Sequence, residues 1–254
     1  MKKNPLPFTK TVLSLGLITL FLGLASLDAQ VVISGPGYSQ NFDDIGTSLP
    51  TGWTVRNNAT SSTLGTSLSF NTAETTWGTT TGNFRNVASA TGLSSGSSNT
   101  AQGDSTDRAL GVRQSGSFAD PGASFNFNFS TIGVNVAAIS LDMMMLDVEG
   151  RSTAWSIQYG TGTSPTSWTT LGTYADPGTW GTTHYSFNNS NFGTSLDNLS
   201  SVWFRVAALT AATGSGSRDT FAIDNFSLSI PEPASAALLL TGLGAVFVAR
   251  KRRK

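Results

Sequence analysis

The stretch ASFNFNFS, residues 123–130, decides the fold class. Phe125, Phe127 and Phe129 alternate with Asn126 and Asn128, and a period of two is that of a β-strand with one apolar face. In an α-helix the three rings would be scattered around the axis. The stretch therefore predicts a strand whose phenylalanine side chains face a core.

The same alternation recurs along the chain between clusters of Gly, Ser, Asn and Thr, and no stretch after Val31 has a helical period of convincing length. Further strands are predicted at 138–146, 155–159, 201–206 and 221–230. The first two are expected to be antiparallel neighbours of 123–130. The sequence thus predicts an all-β fold over residues 30–230, a single antiparallel β-sandwich of jelly-roll type.

The last predicted strand, FAIDNFSLSI at 221–230, changes phase in its middle. Phe221 and Ile223 alternate normally, but the next apolar residue is Phe226, three positions later. Because strand side chains alternate strictly, an odd gap requires one extra residue, and we expect a β-bulge at Asp224 and Asn225.

Composition and charge exclude several classes of function. Eight of the fifteen basic residues and two of the fifteen acidic ones lie before residue 30 or after residue 230. The remaining seven basic and thirteen acidic side chains give the body a charge of about −6, a poor match to a phosphate backbone, so we predict no nucleic-acid partner. The absence of cysteine excludes disulfides and cysteine-based catalytic or metal sites.

The first 29 residues, MKKNPLPFTKTVLSLGLITLFLGLASLDA, begin with lysines, continue with an uncharged stretch over 11–24 and end on a small residue, Ala29. This order is typical of a secretory signal peptide cleaved after Ala29. Leu27, at the third position before the cleavage site, leaves an uncleaved N-terminal anchor as the alternative. In both cases the body is exported.

The end of the chain combines three elements over 231–254. Pro231, Glu232 and Pro233 come first, and an uncharged run of sixteen residues over 234–249 follows, enough for about 24 Å of helix against a hydrocarbon core of about 30 Å. The chain closes with five basic residues that the positive-inside rule keeps in the cytoplasm: Arg250, Lys251, Arg252, Arg253 and Lys254. These elements predict a short transmembrane helix with a stop-transfer cluster.

This tail resembles the PEP-CTERM sorting signal of Gram-negative bacteria. The resemblance implies recognition of Pro231, Glu232 and Pro233 by an exosortase-type processing enzyme. It also implies an inner-membrane precursor that is later released to the cell surface or the extracellular matrix. An ordinary tail anchor is the alternative.

Three further stretches are NFDDIGTSLPTGW (41–53), DRALGVRQ (107–114) and TGSGSRDTFAIDNFSL (213–228). They are similar to a lectin-like β-sandwich module of bacterial extracellular proteins. That resemblance would cover residues 31–230 and implies an accessory module without catalytic residues.

The six tryptophans are the main candidates for ligand contacts, because an indole can stack on a sugar ring. Most are expected in the core. Trp168 and Trp180 lie in the loop-rich stretches TSPTSW and DPGTW, and they are the predicted exposed, glycan-stacking pair.

Other candidate sites are weaker. Asp43, Asp44, Asp219 and Asp224 could supply oxygen ligands to a structural calcium ion, although no loop has EF-hand spacing, and no other cofactor is expected. His184 is the only histidine and has no nucleophile motif beside it. Two of the three carboxylates Asp142, Asp147 and Glu149 could act as the catalytic pair of a glycosidase, but positions in turns and on the solvated surface are favoured for all three.

The sequence therefore predicts a non-enzymatic, exported cell-surface or matrix protein whose body binds a polysaccharide weakly or serves as a structural module. A purely structural or adhesive matrix protein and a small secreted hydrolase are the alternatives.

Overall fold

The computed structural model describes residues 29–231. Outside the described residues lie positions 1–28 of the predicted signal peptide, the predicted transmembrane helix, Glu232, Pro233 and the basic cluster at 250–254. Within 29–231, neither helix has the length and apolar character that crossing a bilayer requires.

The described chain forms sixteen strands and two short helices, α1 at Asn99–Asp104 and α2 at Asn189–Phe192. In chain order the strands are β1 Val31–Val32, β2 Gly37–Gln40, β3 Trp53–Asn57, β4 Thr66–Leu68, β5 Asn71–Glu74, β6 Asn83–Ala88, β7 Arg108–Arg113, β8 Ser124–Ser130, β9 Ala138–Asp147, β10 Arg151–Ser152, β11 Trp155–Thr161, β12 Thr169–Tyr174, β13 Gly181–Asn188, β14 Val202–Ala207, β15 Thr213–Gly214 and β16 Thr220–Ser229.

Two seven-stranded sheets face each other. The first sheet has the order β12-β11-β14-β8-β3-β4, with β1 added to β8. The second sheet has the order β13-β9-β16-β7-β6-β5, with β2 added to β16. Strands β10 and β15 form a separate ribbon. The predicted β-sandwich of jelly-roll type is confirmed, with two parallel pairs, β1 with β8 and β5 with β6, among otherwise antiparallel neighbours.

The core lies between the sheets and is rich in aromatic rings. Phe125, Phe127 and Phe129 of β8 are fully buried, and the first two contact rings of both sheets; Phe127, for example, lies 5.0 Å from Trp53 and 5.3 Å from Phe226, measured between ring centroids. The alternation read from residues 123–130 therefore identifies the inner face of the first sheet.

The predicted bulge is also confirmed. In the pairing of β16 with β9, Asp224 lies opposite Asp142, and the next regular pair is Ser227 with Ser140, so β16 has one residue more than β9. Asn225, in this bulge, has a φ of 47°. The extra residue returns Phe226 and Leu228 to the core.

The predicted neighbour relation of the strands at 123–130, 138–146 and 155–159 is wrong. β8 pairs with β14, β3 and β1, whereas β9 lies in the second sheet between β13 and β16, and β11 pairs with β12 and β14. Consecutive strands β7, β8 and β9 alternate between the sheets, as jelly rolls do. An apolar face shows only that a strand borders the core, and both sheets border the same core.

Candidate functional site

A cleft of about 890 Å³ lies on the outer face of the first sheet. Its floor includes Asn128 of β8, Trp203 of β14 and Arg56 of β3, with Ser201 just before β14. One wall is the segment 58–66, which connects β3 to β4, and the other is the segment 162–168, which connects β11 to β12. The walls contribute mainly hydroxyl groups, from Ser62, Thr63, Thr66, Thr163, Ser164 and Thr166.

The outer face of the first sheet is polar and nevertheless buried. Asn126, Gln158 and Arg205 are on this face, and all three are among the buried residues of the molecule. Buried polar groups need hydrogen-bond partners, and most of those for these three residues are supplied by the sheet and by the segment 58–66.

Arg205 of β14 connects both walls of the cleft. Its Nε donates to Oε1 of Gln158 at 2.9 Å, and its Nη1 and Nη2 donate to the carbonyl oxygens of Thr63 and Thr60 at 2.8 and 3.0 Å. The guanidinium carbon lies 3.6 Å from the ring centroid of Trp168 in the opposite wall. Burial lowers the pKa of Arg205 to about 10, so the side chain stays charged at neutral pH.

Arg56 supports the wall at 58–66 from the floor of the cleft. Its Nη1 donates to the carbonyl oxygen of Gly65 at 3.1 Å, and its guanidinium lies 5.4 Å from the ring centroid of Trp203. Gly65 has a φ of 84°, and a Cβ there would lie 2.2 Å from the carbonyl oxygen of Asn57. This wall therefore requires glycine at its turn into β4.

Gln30 closes one end of the cleft. Its side-chain amide donates to Oδ1 of Asn128 at 3.2 Å and to the carbonyl oxygen of Ser200 at 3.0 Å. The residue that follows the predicted signal-peptide cleavage site is thus part of the cleft.

The six tryptophans differ in burial, and the sequence predicted only part of this difference. The four that were expected in the core are buried: Trp53, Trp77, Trp155 and Trp203. Trp168 and Trp180 are half-buried rather than exposed. Trp168 lies against Arg205 on the first sheet, whereas Trp180 packs on Trp77, 5.7 Å away, in a small apolar cluster on the outer face of the second sheet. Rings on opposite faces of the sandwich cannot form one stacking platform.

The four aspartates of the calcium prediction do not form one cluster, although Asp43 and Asp44 line the same surface pocket. Asp43 accepts the backbone N–H of Arg108 at 2.9 Å, and its charge acts on buried Asp224. Asp219 lies beside Asp176 and Glu149, and Asp44 is exposed. Within residues 29–231, no group of three or more His, Cys, Asp or Glu side chains is arranged to hold a metal ion.

Two of these carboxyl groups have raised pKa values. Burial, the largest effect, raises the pKa of Asp224 to about 8, and its Oδ2 has no hydrogen-bond partner. Burial also raises the pKa of Asp219 to about 7, with a contribution from neighbouring Asp176.

The candidates for catalysis are held in contacts with other side chains, a hydrogen bond between His184 and Asp142 and ion pairs of Asp147 and Glu149 with Arg113. His184 is 62% exposed, and its Nδ1 lies 2.7 Å from Oδ1 of Asp142. Within 29–231, no serine or threonine hydroxyl is hydrogen-bonded to His184. Asp147 and Glu149 both pair with the guanidinium of Arg113 at the far end of β9, so neither is a partner for Asp142.

Sequence reasoning missed most residues of the cleft, including Arg56, Asn128 and Trp203, and it also missed Arg205, which holds the wall at 58–66. The sequence did contain an indication of the cleft, namely the polar residues that alternate with the core residues in two predicted strands. Asn126 and Asn128 alternate with the phenylalanines of β8, and Trp203 and Arg205 alternate with the apolar residues of β14. That these two polar faces lie side by side follows only from the pairing of β14 with β8.

Residues 229–254 match the family model of the PEP-CTERM protein-sorting motif. This chain carries a PEP-CTERM motif. The resemblance noted in the sequence is thereby confirmed, and a PEP-CTERM motif indicates an exported protein that is sorted through the membrane. The motif begins at Ser229, the last residue of β16, so the PEP-CTERM segment is continuous with a central strand of the second sheet.

The described body of this PEP-CTERM protein is similar to several solved β-sandwich modules. One is the K3 cleaved adhesin domain of Lys-gingipain from Porphyromonas gingivalis W83 (10% identity, TM-score 0.42, covering 77% of this chain and 99% of that chain). Another is the CBM22-1 xylan-binding domain of Paenibacillus barcinonensis Xyn10C (11% identity, TM-score 0.38, covering 80% and 99%). A third is the mannan-recognising carbohydrate-binding module TmCBM27 (12% identity, TM-score 0.39, covering 78% and 98%). Likeness at these TM-scores carries no argument about a ligand, and no curated protein matches the sequence.

Proposed function

We propose that this chain is a non-enzymatic, exported protein whose body binds a polysaccharide in the cleft of the first sheet. The observation that carries the proposal is the chemistry of the cleft, about 890 Å³ lined by amides and hydroxyls together with the guanidinium of Arg56 and the indole of Trp203. Among the described residues that line it there is no carboxylate. Sugar hydroxyls both donate and accept hydrogen bonds, and amide and hydroxyl side chains can likewise do both.

Trp168 is the proposed stacking residue. It is the last residue of the segment 162–168, of which residues 163–166 line the cleft, its side chain is half-buried, and the contact with Arg205 fixes its ring before any ligand arrives. A ring that is already ordered loses little conformational entropy on binding, which favours affinity. Trp180, the other sequence candidate, lies on the opposite sheet and supplies a matched control.

The test is a binding titration of the isolated body against a panel of soluble polysaccharides, including xylan and mannan. Trp168→Ala is expected to weaken binding by about tenfold, which corresponds to about 1.4 kcal/mol, a typical contribution of an aromatic ring. Trp180→Ala should leave the affinity unchanged. Equal losses in both variants would place the ligand elsewhere. Absence of binding to any polysaccharide would favour the purely structural matrix role.

We further propose that an exosortase-type enzyme cuts the tail near Pro231, Glu232 and Pro233. The signal peptide delivers the body across the inner membrane, the tail holds it there, and cleavage releases it to the cell surface or the extracellular matrix. Pro231 supports the proposal because it is exposed and lies two residues after the end of β16.

Intact-mass analysis of the protein from membranes and from culture medium tests this sorting step. A released form that begins at Gln30 and ends near Pro231, and that disappears in Glu232→Ala, is the expected result. A membrane-bound form with an intact tail in both proteins would make the tail a plain anchor.

The claim that the body is not an enzyme has its own test. Incubation with the same polysaccharides is expected to release no reducing ends. Turnover that is lost in Asp142→Asn or His184→Ala would overturn the claim and favour the hydrolase.

A further inference from the structure

The sorting tail leaves the body without a linker. Ser229 is paired on one side with Gly37 of β2 and on the other with Ala138 of β9, and Ile230 packs against the core. In the sequence, only three residues, 231–233, separate Ile230 from the uncharged run that begins at Ala234. Three residues span at most about 10 Å, so the end of the body must lie about that close to any bilayer that holds the run.

Four segments form this tail-side end of the sandwich: residues 30–38, 130–138, 188–202 and 226–231. Strand pairing brings them together, because Val32 lies opposite Ser130, and Ala138 lies opposite both Ser229 and Asn188. Gln30, where the body follows the signal sequence, is hydrogen-bonded to Ser200 of the same end. Both uncharged runs of the sequence thus adjoin one end of the molecule.

The tail-side end is almost free of charge. Residues 29–231 contain thirteen acidic and seven basic side chains, and only one of these twenty, Asp197, belongs to the four segments. Its Oδ1 accepts the backbone N–H of Val136 at 2.8 Å, so this carboxylate has a structural partner. The acidic excess that would be repelled by anionic lipid is therefore located elsewhere on the body.

The two most exposed large hydrophobic side chains of the described chain are also at this end. Val32 is 67% exposed and Ile132 is 60% exposed. They are close together, because Val32 lies opposite Ser130 in the sheet and the backbone N–H of Ile132 donates to Oγ of Ser130 at 3.3 Å. The third such residue, Val148, is 40% exposed and follows β9 at the opposite end of the sandwich.

We infer that the tail-side end is a lipid-contact surface: while the tail is attached, Val32 and Ile132 rest in the headgroup region of the bilayer that holds the run at 234–249. Burial of two aliphatic side chains is too weak to bind a membrane alone, but the tail already confines the body to the surface, so the contact only has to orient it. The inference depends on the sorting tail and is independent of glycan binding.

The chain contains no cysteine, so single labelling sites can be introduced without background. The full chain, as Ile132→Cys, Val32→Cys or Val148→Cys, is labelled with an environment-sensitive fluorophore and reconstituted into phosphatidylethanolamine–phosphatidylglycerol vesicles. The same vesicles are then prepared with brominated acyl chains, which quench only fluorophores that contact lipid. All three positions are exposed, and a thermal unfolding transition equal to that of the unsubstituted chain shows that each variant is folded.

Labels at positions 32 and 132 are expected to shift to shorter emission wavelengths in vesicles and to lose fluorescence with brominated lipid. The label at position 148 should show neither change. An emission shift at 132 without quenching by brominated lipid would mean that a second protein copy covers this end, and it would overturn the inference. Equal quenching at 132 and 148, no change at either, or failure of the chain to associate with the vesicles would also overturn it.

Discussion

At the scale of single residues, Asp224 is a carboxyl group whose pKa is raised by folding. It has no exposed surface, and burial raises its pKa to about 8, whereas an unfolded aspartate ionises near pH 4. Between these values the folded protein keeps a proton that the unfolded chain has released. A rise in pH through this interval therefore favours unfolding, and the stability that Asp224 contributes below about pH 4 is lost as pH approaches 8.

Asp224→Asn is predicted to reduce this pH dependence. The amide stays neutral at every pH, so the variant should lose less free energy of unfolding between pH 5 and pH 8 than the natural chain, by an amount on the order of a few kcal/mol. Urea titrations at several pH values, with a chelator present to exclude divalent cations, measure the difference. The control is Asp44→Asn, which removes an exposed carboxyl group. Parallel curves for the natural chain and Asp224→Asn would contradict the raised pKa.

At the scale of elements, the bulge in β16 depends on a residue that tolerates a positive φ. Asn225 has a φ of 47°, and its Nδ2 donates to Oδ2 of Asp142 at 3.0 Å. A β-branched side chain is strained in this region, so Asn225→Val should lower the free energy of unfolding by about 1–2 kcal/mol. Ser227→Val, at a regular position two residues later in the same strand, should cost much less. Chemical denaturation of both variants measures the contrast, and equal losses would show that the bulge carries no such constraint.

The walls of the cleft depend on Arg205 in a similar way. The three N–H donors of lysine are on a single nitrogen, so lysine cannot reproduce the hydrogen bonds that three guanidinium nitrogens make to Gln158, Thr60 and Thr63. Arg205→Lys is therefore expected to cost about 2–3 kcal/mol of stability and to expose the segment 58–66 to proteases. Denaturant titration and limited proteolysis, with Arg151→Lys on the small ribbon as control, measure both effects. Unchanged proteolysis at 58–66 would mean that Arg205 does not hold this wall.

At the scale of the whole molecule, the two ends of the chain are predicted to be unnecessary for folding. The core is formed within the described residues, and β16 lies at the centre of the second sheet between β9 and β7. A protein limited to residues 30–231 should unfold cooperatively at the same temperature as the full chain in detergent. A protein that stops at Ile223 loses Phe226 and Leu228 from the core and should not fold. Circular dichroism during heating distinguishes these outcomes, and a lower transition for 30–231 would show that the ends contribute to stability.

The sequence by itself determined the features that depend on neighbouring residues. The period of two at 123–130 identified a strand and its core face, and the odd gap at Asp224 and Asn225 located the bulge, because strand geometry fixes the side of each successive side chain. The sorting motif at 229–254 is linear and could be read in the same way.

Only the tertiary structure decided which strands, and therefore which side chains, are neighbours. An alternating pattern does not say which strand is the neighbour, so β8 and β9 were wrongly paired, and the cleft of Arg56, Asn128 and Trp203 was not foreseen. For the same reason Trp168 and Trp180, similar in their local sequence, lie on opposite sheets. Strand pairing joins residues that are far apart in the chain. The pairing is stabilised by the core that both sheets share, and a local sequence pattern does not specify how the strands are arranged around that core.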